Sequence, residues 1–129
     1  MCVVDKIKNI PTLYYKGPVL ESEILDASMK LGLDLPQEYI NYIRALGYIS
    51  FCGHVFTGLG IKDKPNVVLE TKTERLKNKF LPLDMIVLET TDVPGVCIVM
   101  DMEGAVYLLQ HEILRKVSDT LSEYIDFLI

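Results

Sequence analysis

Three short apolar runs, Met85 to Leu88, Val96 to Met100 and Ala105 to Leu109, constrain this chain more than any other feature. Each is too short for an independent helix. Asp92, Pro94 and Gly95 separate the first two and the turn-forming stretch from Asp101 to Gly104 the last two, the punctuation of a three-stranded antiparallel meander. A strand with one wet face should alternate polar and apolar residues, and these do not. The meander is therefore either covered on both faces or offers an apolar face to another molecule. Upstream, Tyr48 to Phe51 and His54 to Thr57 are aromatic and β-branched, and Cys52-Gly53 between them predicts a tight hairpin.

Helical spacing accounts for most of the remaining chain. Gly17-Pro18 predicts a helix running to about Leu31, with Leu20, Ile24, Leu25 and Leu31 on one face and Gly32 past its end. Asp34 and Gln37 have capping-box spacing around Pro36, and Tyr39, Ile40, Ile43 and Leu46 then repeat until Gly47. Asn66 as N-cap, with Glu70, Glu74, Arg75, Leu76 and Lys77, favours helix over 66–77, a strand at Val67-Val68-Leu69 being the alternative. Ser118 to Thr120 offer caps for a closing helix carrying Leu121, Tyr124, Ile125 and Leu128 on one face. The order α-α-β-β-α-β-β-β-α predicts an α+β fold with a mainly antiparallel sheet of about five strands. The 129 residues contain no linker or repeat, so residues 1–129 read as a single domain.

The formal net charge is -5, which argues against nucleic acid as a direct partner, since phosphate binding needs clustered Lys and Arg. Its distribution says more. Residues 1–79 carry 11 basic and 9 acidic groups, whereas residues 80–129 carry 2 basic and 9 acidic. A long stretch of one sign attracts a basic partner and speeds its encounter. No apolar run reaches the length of a membrane span and the first residues lack signal-peptide order, so a soluble, cytoplasmic chain without a membrane partner is expected. Cys2, Cys52 and Cys97 are odd in number and scattered, unlike a disulfide scaffold or zinc ribbon.

Catalytic chemistry is poorly represented. Cys52 and His54 are a weak thiolate and base pair, with no third residue implied to orient the imidazole. His111-Glu112 is no stronger, and a metal site would need His54, His111 and cysteines to converge from distant segments. The glycines of Gly53 to Gly60 form neither a dinucleotide fingerprint nor a Walker loop; they suit positive φ angles or close backbone approach. Tyr14 and Tyr15 suit a cap on the core or a partner anchor. The residues favour a binding module without metal or cofactor over an enzyme.

Gly17-Pro18, Ile24 to Gly32, Leu35-Pro36-x-x-Tyr39 with Ile40 and Ile43, Gly47 and Gly58-Leu59-Gly60 follow one another in an order that resembles the SUKH superfamily, in its branch similar to the yeast cell-wall-synthesis regulator domain. Val67-Val68-x-x-Thr71-x-x-x-Arg75, Leu81-Pro82 before Ile86-Val87-Leu88-Glu89, Asp101-x-x-Gly104-x-Val106-Tyr107 and Ser122-Glu123-Tyr124-Ile125 extend the resemblance to the C-terminus. Ser28 and Val55 stand where the family commonly has glutamates. The resemblance implies helices packed on an antiparallel sheet, no catalysis, and in bacterial members immunity against a toxin, often a nuclease, by stoichiometric binding. A protein-interaction scaffold is the alternative.

The meander supplies the candidate interface. Its strand order places Asp84, Asp101 and Glu103 near one end and Glu89, Asp92 and Glu112 near the other, so either acidic rim suits a basic toxin. Phe56 and Thr57, before the Gly-Leu-Gly turn, are candidates for a central contact, with a core role for Phe56 as the competing reading. Loop carboxylates that only keep the protein soluble are the competing reading for the rims, and an apolar sheet face leaves a homodimer open.

Overall fold

The computed structural model describes residues 2–129. Its elements are α1 (Val3–Lys8), β1 (Tyr14–Tyr15), α2 (Glu21–Leu31), α3 (Gln37–Leu46), β2 (Ile49–Phe51), β3 (His54–Phe56), α4 (Val67–Lys77), β4 (Ile86–Thr90), β5 (Val96–Met100), β6 (Val106–Gln110), β7 (Ile113–Ser118) and α5 (Leu121–Leu128). The strands form an antiparallel three-stranded sheet, β1-β2-β3, and an antiparallel four-stranded meander, β4-β5-β6-β7. The fold is α+β, as the order of apolar runs and helical repeats predicts. Seven strands in two sheets replace the expected five or so. The additional strands are β1, only two residues long, and β7, whose first four residues are exposed and include Arg115 and Lys116. An exposed edge strand has no apolar run to announce it.

The meander is covered on both faces, which explains its unbroken apolar runs. Ile86, Leu88, Met100 and Val106 join the large core built with α1, α2, α3 and α5. Val87, Cys97, Val99 and Leu109 form a second cluster with Leu81 and Met85 from the α4–β4 connection. A bulge between Val87 and Glu89 interrupts the alternation. Val87 pairs with Val99 of the second cluster, but Glu89 pairs with Ile98, which packs against the large core. The extra residue thus turns Glu89 to the α5 side of the sheet.

Local chemistry explains the helix boundaries. Asn66 caps α4 by accepting hydrogen bonds from the Val68 and Leu69 amides, which settles 66–77 as helix. Thr120 caps α5 through the Glu123 amide, and Glu38 of α3 accepts from the Leu121 amide at 2.8 Å and from the Ser122 hydroxyl. A carboxylate at that N-terminus satisfies free N–H groups and the helix dipole together. Two expectations need correction. α2 begins at Glu21 and not at Gly17-Pro18, and its buried face is Ile24, Ala27 and Leu31, with Leu20 and Leu25 exposed. α3 has Pro36 at its N-cap with no side-chain cap, so the Asp34–Gln37 box does not form; Gln37 bonds Asn41 instead. α1 lies outside the expected order because six residues are too few to show a period, yet Val3 and Ile7 are buried.

Candidate functional site

The Cys52-Gly53 turn has φ of 48° and 80°, the two positive values a two-residue hairpin of this twist requires. It presents His54 toward β4, where His54 Nδ1 lies 2.9 Å from Glu89 Oε1. The Tyr124 hydroxyl of α5 donates to the other carboxylate oxygen, Oε2. Both oxygens of a buried carboxylate are therefore met by donors from two other elements. Burial and the adjacent Glu89 charge raise the pKa of Tyr124 well above the phenol range, which keeps it a donor.

Thr57 joins the two sheets. Its amide donates to Leu88 O at 2.8 Å and its hydroxyl to Val87 O at 2.7 Å. The hydroxyl oxygen accepts in turn from Tyr39 Oη at 2.9 Å, and Tyr42 Oη donates to the Thr57 carbonyl at 2.8 Å. Burial raises the pKa of both tyrosines.

Between these parts and α4 lies a cleft of about 670 Å³ lined by His54, Thr57, Lys64, Glu70, Glu89, Asp92 and Tyr124, among others. That volume lies in the range of ordinary ligand pockets. Glu70 belongs to the buried face of α4 with Thr71 and Glu74. Burial pushes its pKa up; Lys64 opposes that shift, Glu74 adds to it, and Lys77 opposes it. Three carboxylates, from Glu70, Glu89 and Asp92, thus face one lysine ammonium across the cleft.

The structure brings Thr57, Glu89 and Asp92 together in this cleft and leaves the other candidates elsewhere. Glu89 is not on a rim: it is 6% exposed, turned inward by the bulge. Phe56 is fully buried, stacked 6.0 Å from the Tyr124 ring, and takes the core role. Thr57 is buried as well, as the link between sheets. Glu112 is exposed in the β6–β7 turn, at the same end of the meander as Asp92. At the opposite end Asp84 and Glu103 are exposed, while Asp101 organises the β5–β6 turn, accepting from the Glu103 and Ala105 amides and the Tyr107 hydroxyl. In the sequence Glu70 stands out only as a helix former, Lys64 not at all, and Tyr124 only on the apolar face of its helix. The one signal for Glu70 was its position three residues after Val67 on the face that α4 buries.

Cys52 does not pair with His54; its thiol lies 3.8 Å from Thr12 Oγ1. The partner that orients the imidazole is Glu89, which sequence spacing did not suggest. The Cys97 thiol is pushed up to about 12 by burial and by the Glu74 charge, so it packs as a neutral thiol. Among the described residues no group of three or more His, Cys, Asp and Glu side chains could hold a metal ion, and no helix is long and apolar enough to cross a membrane.

The sequence that builds this cleft matches a known family of domains. The SUKH_5 family model, described as SMI1-KNR4 cell-wall, covers residues 2–128, and the chain belongs to this SUKH family. A comparison with curated proteins finds no match.

Proposed function

We propose that the protein is an immunity protein, which acts in the bacterial cytoplasm by binding a cognate toxin and blocking it stoichiometrically. The family match over residues 2–128 carries this reading. The charge of the second half supports a basic partner: residues 80–129 hold 9 acidic and 2 basic side chains, a field that competes for the groove in which a nuclease holds phosphates. Occlusion requires no turnover, and the inhibitor leaves the complex unchanged.

The test is protection in a host. The reading frame beside this gene is expressed alone and together with the protein. Growth arrest by the neighbour, relieved by co-expression and accompanied by a one-to-one complex, is the predicted result. A harmless neighbour, or a toxic one that the protein neither binds nor relieves, moves the assignment to an interaction scaffold.

A further inference from the structure

Glu70 is 3% exposed, yet no hydrogen bond reaches its carboxylate among the described residues. Its one ion pair, to Lys64 Nζ, spans 3.8 Å, beyond hydrogen-bond reach, and the Lys64 side chain is 74% exposed. Buried carboxylates ordinarily collect donors, because burying the charge without them is costly. Glu89, across the same cleft, shows the ordinary case, with His54 and Tyr124 on its two oxygens. Glu70 instead has only the distant Lys64 ammonium, and its oxygens stay open to solvent in a cleft large enough for a long side chain.

We propose that this cleft receives an arginine side chain of a protein partner, its guanidinium pairing with Glu70 and Asp92. The inference rests on the toxin-binding reading for the identity of that partner. Three lining carboxylates against one lysine exclude an anion as the natural occupant. A metal ion is disfavoured because the acidic side chains do not converge into a ligand set among the described residues. Arginine fits better than lysine: its planar fork of donors can meet several carboxylate acceptors together, it is more weakly hydrated, and it stacks on rings such as those of His54 and Tyr124, which wall the cleft. Lys64, exposed and loosely held, is free to swing aside.

The probe is N-acetyl-arginine methylamide, titrated into the isotope-labelled full-length protein and followed by amide chemical shifts. The uncharged citrulline counterpart serves as control. The proposal expects saturable shifts at the amides of His54, Glu70 and Asp92 with arginine only. Glu70→Gln, nearly isosteric, should weaken binding by about tenfold or more. Asp92→Asn, on an exposed connection, should weaken it by about two- to fivefold. Absent shifts, equal shifts with citrulline, or unchanged affinity in a folded Glu70→Gln variant overturn the proposal. A toxin bound equally well by wild type and Glu70→Gln also overturns it while leaving the immunity reading standing. Saturable arginine binding by a chain that neutralises no toxin supports the cleft and removes that reading.

Discussion

Glu70 and Thr57 show opposite treatments of a buried polar side chain. Because burial raises the pKa of Glu70, the folded chain holds that proton more tightly than the unfolded one. The group's contribution to stability is therefore fully present below the unfolded value and is lost as pH rises through the raised one. Glu70→Gln should be the more stable protein near neutral pH, with the advantage shrinking as pH falls through the raised value and gone below about pH 4, where both states of the wild type are protonated. Thermal melts across pH check this, and a variant less stable than wild type at neutral pH would show that Lys64 already satisfies the charge. Thr57 is fully met, so Thr57→Val strands the Tyr39 hydroxyl and should cost about 1–3 kcal/mol in urea unfolding. Tyr39→Phe added to it should recover part of that loss, since removing both partners leaves less unpaired. Neither role was legible in sequence. Thr57 could be flagged only as lying before Gly58-Leu59-Gly60, and Glu70 reads as an ordinary helix former until α4 is packed against β4.

At the scale of elements, spacing and caps were informative where the chain is regular. The Asn66 cap, the Cys52-Gly53 turn and the three apolar runs all correspond to elements of the fold. The bulge in β4 left no mark, because Val87, Leu88 and Glu89 look the same in sequence with or without an extra residue. That single irregularity moves Glu89 from the expected rim to the cleft. Gly58 is the tightest point between elements: an added Cβ would lie 1.8 Å from Gly47 O, where Leu59 N donates to that same carbonyl at 2.9 Å. Gly58→Ala should cost about 3 kcal/mol or more, or prevent folding, because backbone must move to admit it. Gly53→Ala has open space and meets only its positive φ, so about 1–2 kcal/mol is expected. Comparable losses in the two variants would contradict the close approach at Gly58.

For the whole molecule, the segregation of charge was visible in sequence, and so was the placing of Asp92 and Glu112 at one end of the meander with Asp84 and Glu103 at the other, but the cleft beside Asp92 was not. Asp92 lines the cleft and Glu112 lies at its end of the meander, whereas Asp84 and Glu103 lie at the other. Reversing Asp92 and Glu112 to lysine should slow association with a basic toxin by about tenfold at low salt, with a smaller effect from reversing Asp84 and Glu103. Equal rates for wild type and both double variants would remove steering from the account. The most direct test of toxin binding through the cleft is affinity capture from dense native culture, with wild type and Glu70→Gln as parallel baits and mass spectrometry of stoichiometric partners. The account predicts one protein with a toxic C-terminal domain, bound by the wild type and depleted on the variant. Recovery of host regulatory proteins alone, or of nothing while any toxin encoded beside the gene is expressed, would contradict it.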